Sequence, residues 1–480
     1  MGITQVTIPN HPFWVGGQWI SDGDRTEIRA PYDKAVVGTV TGCSRRHAEA
    51  GIDAAVRAFA VTRKLTAHER QRILFTTSQL LAERKEQFAQ VLAKESGKPI
   101  KIARFEVERS IFTLRVAGEE ATRIGGEVLS LDLLPSANGR WGIVRRFPVG
   151  PVLAIAAFNF PLILAAHKIG PAIAAGCSVI LKPPPQDPIC TLMLAELFEQ
   201  AGTPPGAINV LPLTNEDASF LVEDERIRML TFTGSIAVGW ELRRLAGKKR
   251  VVLELGGNAA AIVHRDADLE YAAQRCASGA FSYAGQSCVS VQRIFVHEAV
   301  KEKFTELLLA AVEKLRVGDP LDENTDVGPM IREADATRAL NWVKEAISGG
   351  AKLLCGGDAS GPFLYPTVLT HTSPQMKVNC QEIFAPVVTI ESYTDFEHAL
   401  ARVNDSSFGL QTGIFTREAN LIFHAYEELS VGGVIAGDIP TWRIDHMPYG
   451  GVKDSGTGRE GVRYTIEEMT ERKLLVMNLR

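Results

Sequence analysis

Residues 151–185 read PVLAIAAFNFPLILAAHKIGPAIAAGCSVILKPPP, and this stretch decides the fold. Val152 to Ala157 is a short apolar run without alternation, the pattern of a strand covered on both faces. A helical segment follows from Leu162 to Ala175, and Ser178 to Leu181 is a second apolar run. The same punctuation continues downstream. Helix is predicted from Thr191 to Gln200, strand from Ile208 to Leu211 and helix from Asp217 to Val222. Strand from Met229 to Phe232, helix from Ser235 onward and strand from Val251 to Leu255 complete the series. Such alternation predicts an α/β fold with a mostly parallel sheet and helices on both faces.

Working outward, the first fifty residues mix short alternating runs with turn residues and predict small strands. Helical periodicity then dominates from Arg45 to Glu119. Beyond Gly125 and Gly126, the runs Val128–Leu131 and Trp141–Arg146 flank a polar turn around Ser136 to Gly139, which predicts a β-hairpin arm. A second α/β series runs from Ala259 to about Leu410. From Thr465 the tail returns to strand-like sequence at Lys473–Met477. No repeat of fixed period and no low-complexity tract interrupts the chain.

Composition bounds the answer. At 480 residues the chain exceeds one ordinary domain, and 45% apolar content supplies real cores. A formal charge of −4 without blocks of like sign argues against a nucleic-acid partner. Seven cysteines spread over such a length predict reduced thiols and a cytoplasmic setting, not a disulfide framework. The start MGITQVTIPNHPFWVGG has no basic or apolar leader region, and Val6 stands where a myristoylation signal wants Ser or Thr. The most apolar stretch, Pro151 to Ala166, carries Asn159 and Pro161 and is too interrupted to span a membrane. No membrane partner and no metal are expected.

Three side chains carry candidate chemistry. Cys288 sits in GAFSYAGQSC (residues 279–288), where small residues allow a close approach to a substrate; alone it reads as a buried structural thiol. Glu254 ends the apolar run Val251–Leu255, where burial raises a carboxyl pKa toward general-base duty, although a salt-bridged structural Glu is the blander reading. Asn159, in AAFNFP (156–161), can offer its amide to a developing oxyanion or merely close a turn before Pro161. Two further stretches suit a dinucleotide. RMLTFTGSIAVG (228–239) reads strand, glycine turn, helix N-terminus, where backbone N–H groups can meet a pyrophosphate, though it lacks G-x-G-x-x-G. Lys182 ends another strand and either serves a ribose or is a solvated strand end.

Taken together, FNFP (158–161), Lys182-Pro183, FTGS (232–235), ELGG (254–257), GQSC (285–288), EIFAP (382–386) and PYGG (448–451) resemble the aldehyde dehydrogenase superfamily. The motifs stand in that family's order over nearly the whole chain. The resemblance implies a Rossmann-like cofactor domain (1–124 and 148–255), a second α/β catalytic domain (256–464) and an oligomerisation arm (125–147 and 465–480). It implies NAD- or NADP-dependent oxidation of an aldehyde to a carboxylic acid, and a homodimer or homotetramer. Cys288 would be the nucleophile, Glu254 the general base, Asn159 and the Cys288 N–H the oxyanion donors, and Lys168 a residue near the proton path. Lys182 would lie at the adenine ribose and Phe232 and Val238 near the adenine side, with Ile155, Phe158, Pro184, Leu255 and Gly256 along the cofactor. Gly234 and Ser235 would meet the pyrophosphate, Glu382 the nicotinamide ribose, and Phe384 its ring.

The chemistry explains the set. An aldehyde carbon releases hydride only after thiolate attack makes it tetrahedral. Losing one oxyanion donor at that stage typically costs about 3–4 kcal/mol of barrier. The thioester left behind needs activated water. A CoA-acylating semialdehyde dehydrogenase is the nearest alternative, and Glu254 argues against it. Retention of Cys288, Glu254 and Asn159 argues against a silent binding protein, and no motif histidine near Cys288 supports a cysteine hydrolase.

Some positions depart from the family pattern. His167 and Arg115 resemble the branch acting on lactaldehyde, phosphonoacetaldehyde and glyceraldehyde 3-phosphate, and predict a small polar aldehyde, hydroxylated or carrying one carboxylate, steered by Arg115 with help from His167 or Arg443. Arg115 equally suits an i,i+4 pair with Glu119. Ser287 replaces the arginine often found before the nucleophile in members using phosphorylated or phosphonate substrates. Pro185 stands where many NAD-preferring relatives have the ribose-binding Glu, so nothing there repels a 2′-phosphate. NADP is therefore expected to give kcat/KM comparable to NAD, and a strong NAD preference in steady-state assays would contradict this.

Overall fold

The computed structural model describes residues 8–478. The leader reading at Met1–Thr7, Val6 included, and the last two residues of the tail lie outside the described residues. The run 151–185 forms strand Val152–Ile155, helix Pro161–Ala175 and strand Val179–Lys182. Every residue of these three elements is buried, as an apolar run without polar alternation requires. Pro161 occupies the first helical turn, where its missing N–H costs nothing, and Gly176 closes the helix at φ 87°.

Five parallel strands follow one another across the first sheet. Their order is Arg250–Glu254, Met229–Thr233, Val152–Ile155, Val179–Lys182, Ile208–Val210. Antiparallel strands Gly456–Thr457 and Phe13–Val15 extend its two edges, the latter followed by Gln18–Ile20. The chain starts in the middle, winds one way and then returns to wind the other. This leaves a switch point between Val152–Ile155 and Met229–Thr233, where open α/β sheets form a crevice outside the strands' carboxyl ends. The α/β expectation is met, with small boundary differences: Asp217–Val222 is a 3-10 turn followed by the short helix Ser219–Glu223.

The second series builds a seven-stranded sheet in the order Lys352–Cys355, Thr367–Thr370, Val387–Tyr393, Arg293–His297, Ala260–Val263, Gln411–Phe415, Gly433–Ala436. All pairings are parallel except at Lys352–Cys355. The series thus continues past Leu410 through Gln411–Phe415 to Gly433–Ala436, the latter only partly covered and without a buried strand's continuous apolar signature. The hairpin forms as Gly126–Ser130 and Arg140–Pro148, and the tail strand Thr470–Asn478 pairs antiparallel with the latter over its whole length. Val128, Leu133, Leu134, Trp141, Leu474 and Leu475 stand exposed there.

Four helices, Arg45–Thr62, Ala67–Glu83, Lys85–Ser96 and Ile100–Ala121, account for the long helical stretch. The last of them and the loop before it anchor the first sheet through buried charge. Glu106 accepts hydrogen bonds from the Leu162 and Ile163 N–H groups, capping a helix whose own N-terminal residue offers no cap. Lys98 pairs with Glu106 at full burial, and its ammonium sits 4.2 Å from the Phe160 ring centroid and 4.7 Å from that of Tyr283. Breaking such a buried pair by removing one partner typically costs about 3–5 kcal/mol. One cation therefore ties the loop that carries Asn159 to the turn that precedes Cys288.

Candidate active site

Parallel register sets the site. Ile155 pairs with Phe232, and Thr233 with Glu254, so the segments leaving these strands emerge side by side at the switch point. Asn159 follows the first strand, Gly234 and Ser235 the second, and Glu254 ends the third. Cys288 arrives from the other α/β unit, beyond the helix Leu269–Phe281. Before it, Tyr283, Ala284 and Gly285 all take left-handed backbone at φ 51°, 52° and 66°. For the two non-glycine residues this costs roughly 1–2 kcal/mol each, and Gln286 holds the turn in place. Its side chain donates to the Tyr283 carbonyl and accepts from the Ile331 N–H at 2.9 Å. Gly257 lets the two units meet, since a Cβ there would lie 2.3 Å from the Cys288 carbonyl oxygen.

Cys288, Glu254 and Asn159 line one cavity of about 670 Å³. The structure thus brings the three candidates together. The Cys288 Sγ lies 3.0 Å from the Tyr449 hydroxyl. Burial pushes the thiol up to about 11, with the Tyr449 hydrogen bond and Arg443 opposing and Glu382 and Glu254 adding to the rise. The Glu254 carboxyl is also driven well above the usual carboxylate range, first by burial and then by the facing Glu460. Neither of its oxygens, nor the Asn159 Oδ1, hydrogen-bonds any group among the described residues. Buried polar atoms are normally satisfied, so unpaired ones mark places kept for chemistry.

A dinucleotide fits this edge. The helix Ile236–Leu245 begins without a side-chain cap at Ser235, and Gly234 and Ser235 line the cavity, so first-turn N–H groups are available for an anion. A Cβ at Gly234 would lie 2.4 Å from the Phe232 ring, and one at Gly256 would lie 2.1 Å from the Glu382 carboxylate. Glu382 accepts the Gly257 N–H at 2.9 Å and is raised to about 7 by burial. Phe158 and Phe384 meet edge to face at 5.9 Å in the same cavity. Leu255 also lines it. Ile155, Lys182, Pro184 and Phe232 are buried along the strand ends without lining it, and Val238 is exposed on the first helical turn. Lys182 donates to Asn215 at 2.9 Å, and burial lowers it to about 8. Pro185 is exposed.

Lys168 lies behind the cavity wall, 3.1 Å from the Thr231 hydroxyl and 3.9 Å from Glu460, with burial lowering its pKa. His167 and Arg443 do line the cavity, but Arg115 does not. Its side chain is 70% exposed and pairs with Glu119 at 3.4 Å. The helical repeat explains the correction. Ile102, Phe105 and Arg109 share one face of the Ile100–Ala121 helix and line the cavity, whereas six residues beyond Arg109 the helix has turned away. The periodicity of that face could have singled out Arg109, which donates two hydrogen bonds to Asp445.

Asp445 and Glu460 were not singled out from sequence, since a lone carboxylate in a loop carries no signal. Asp445 is almost fully buried and also accepts from His167 Nε2 at 2.9 Å. Glu460 accepts from Arg443 at 2.8 Å. Arg443 in turn lies over the Tyr449 ring, 3.8 Å from its centroid. Burial alone would raise the Asp445 pKa, but His167 and Arg109 outweigh it and hold the group well below the usual range.

The sequence profile described as the aldehyde dehydrogenase family matches residues 19–475. A 3-sulfolactaldehyde dehydrogenase of Priestia aryabhattai is 44% identical over 478 residues, covering 99% of both chains. The crystal structure of aldehyde dehydrogenase 21 from Physcomitrella patens, in complex with the reaction product succinate, superposes with a TM-score of 0.97 at 43% identity, covering 99% of both chains. A glyceraldehyde-3-phosphate dehydrogenase from Methanocaldococcus jannaschii, complexed with NADP, gives 0.92 at 39% identity over 96% of this chain and 100% of that one.

The Asp445 shift has a measurable sign. A carboxyl whose folded pKa is depressed contributes stability that is fully present above its unfolded value, near 4, and is lost as pH falls toward the folded one. Asp445→Asn is expected to cost about 3 kcal/mol at pH 7, the order for breaking a buried pair. In urea unfolding followed across pH, its deficit against the parent should narrow below about pH 4. A pH-independent deficit would contradict the assignment.

Proposed function

The chain belongs to the aldehyde dehydrogenase family, and from that membership we propose that Cys288, Glu254 and Asn159 oxidise a small polar aldehyde bearing an anionic group to its carboxylic acid. The observation that carries this reading is the meeting of those three side chains in one cavity, beside an edge that fits a dinucleotide. NAD or NADP, when bound, supplies the acceptor for the hydride. Everything else falls to residues of the chain.

The Cys288 sulfur adds to the aldehyde carbon, and the carbonyl oxygen becomes an alkoxide. The Asn159 amide and the Cys288 N–H hold that oxygen. Loss of hydride from the tetrahedral carbon leaves a thioester on Cys288. Glu254, made more basic than an ordinary carboxylate by burial, takes a proton from water as it attacks the thioester, and the acid departs with the thiol restored. Glu460 faces Glu254 and Lys168 lies behind the wall 3.9 Å from Glu460, so the pair offers the proton a relay.

The substrate reading rests on the linked wall of Arg109, Asp445, His167 and Arg443. The guanidiniums of Arg109 and Arg443 line the cavity and can donate to a negatively charged tail, and the His167 Nε2–H bound to Asp445 leaves Nδ1 as an acceptor. A 3-sulfolactaldehyde dehydrogenase relative and a structural neighbour holding succinate support an anionic tail. Ser287, in place of arginine, disfavours a phosphate. The exposed apolar residues of the Gly126–Ser130, Arg140–Pro148 and Thr470–Asn478 sheet suit pairing with a second copy, as a dimer or tetramer readable by light scattering. Seven unpaired cysteines suit a reducing cytoplasm, and no helix among the described residues is long and apolar enough to cross a membrane. On the same reading, residues 1–124 and 148–255 bind the cofactor, 256–464 carry the catalytic domain, and 125–147 with 465–480 form the arm.

An aldehyde panel read by reduced-coenzyme absorbance tests the proposal. Sulfolactaldehyde and succinate semialdehyde are expected to exceed lactaldehyde in kcat/KM by at least about tenfold, equivalent to about 1.4 kcal/mol. Equal rates would remove the anion reading, and full activity in Cys288→Ser would remove the mechanism. Glu254→Gln should give one stoichiometric burst of reduced coenzyme followed by slow turnover, because hydrolysis of the thioester is then limiting.

A further inference from the structure

A buried thiol with a pKa near 11 is a poor nucleophile at neutral pH, because the thiolate is the reactive form. The groups facing Cys288 are Tyr449, Arg443, Glu254 and Glu382. The two carboxyls oppose ionisation when charged, so relief must come from Tyr449 and Arg443.

We propose that Tyr449 is a thiolate-stabilising catalytic residue, its phenol O–H donating to the Cys288 sulfur while Arg443 polarises the ring from its face. The geometry carries the inference. Tyr449 Oη lies 3.0 Å from the sulfur, and the Arg443 guanidinium carbon lies 3.8 Å from the centroid of the same ring. Either atom can donate while the thiol is protonated. Once the S–H proton has left, only the phenol can donate, so the contact becomes a charge-assisted hydrogen bond on ionisation. This bond strengthens with the negative charge and favours the thiolate.

The phenol is equipped to remain a donor. Burial raises its own pKa well above the ordinary value, so it does not ionise in competition with the thiol. Arg443 remains charged: burial presses its pKa down, but Glu460 and Asp445 outweigh that and raise it. A cation over the ring draws electron density from the oxygen and makes the O–H a better donor. Tyr449 is itself held, since its N–H and carbonyl bond the backbone of Glu460, and the ring packs with Val289 and Leu410. The left-handed Gly450 that follows, at φ 152°, brings the chain past Glu254. When sulfur bonds to the aldehyde carbon its charge moves to the carbonyl oxygen, the phenol's bond to sulfur weakens, and Asn159 takes over the charge.

This inference rests on the reading of Cys288 as the nucleophile, and the test separates the two. Tyr449→Phe keeps the ring and the Arg443 contact while deleting one oxygen. Iodoacetamide alkylation of the full chain, without coenzyme or aldehyde, is measured from pH 7 to pH 9, with Cys288→Ser as the blank. The log-rate line of Tyr449→Phe is expected to shift by about one pH unit to higher pH, a tenfold loss of thiolate at each pH. The aldehyde kcat should fall in parallel, with NADP binding by fluorescence quenching and the aldehyde KM unchanged. Coincident alkylation lines in a variant that still binds NADP would overturn the role of Tyr449 and leave the proposed reaction standing. Unchanged aldehyde oxidation in Cys288→Ser would overturn the reaction instead.

Discussion

Hydrogen bonding between parallel strands is the constraint on which this structure depends. Parallel neighbours run in one direction, so their carboxyl ends share an edge, and the register at Thr233 and Glu254 fixes how far each reaches. Asn159, Gly234 and Glu254 stand 75 and then 20 residues apart in the chain, yet a ladder of backbone hydrogen bonds delivers them to one crevice. No side-chain affinity between them is required. The second α/β unit needs only to present one turn to that crevice, and the left-handed run at Tyr283–Gly285 does so at a cost in local strain.

Burial is the second organising force, and it acts on charge as much as on apolar surface. Lys98 and Glu106 meet at full burial, where Glu106 closes the helix after Asn159 and Lys98 sits against Phe160 and Tyr283. In the cavity wall, Arg109, Asp445, His167, Arg443, Glu460 and Lys168 form a continuous chain of ionisable groups. Each neutralises the desolvation cost of the next, which an isolated charge in that position could not survive. The same low-dielectric surroundings raise Cys288 and Glu254 together. Tyr449 and Arg443 are placed where an ionised sulfur would feel them most.

Much of this was legible in the residues. Apolar runs of four to six residues broken by Pro, Gly and Asn marked the strands, because a strand buried on both faces has no room for polar alternation. Cys288, Glu254 and Asn159 stood out because each combines a reactive group with surroundings that would otherwise reject it. Less was legible where a residue's meaning depended on which way it faced. Arg115 was a reasonable candidate by type and neighbourhood, yet the helix turns it to solvent and gives its place to Arg109. Tyr449 was visible only as part of PYGG, with nothing local to indicate that its hydroxyl reaches a sulfur 161 residues away.

The sequence by itself determined the α/β alternation, the reactive groups and the turns that carry them, because these follow from periodicity and side-chain chemistry over short spans. Tertiary structure alone decided which cations line the cavity and which carboxylates neutralise them. It also decided that a phenol rather than a histidine touches the thiol. Those outcomes depend on long-range packing in a low-dielectric interior, where rotation by a fraction of a helical turn separates a solvated charge from a buried one.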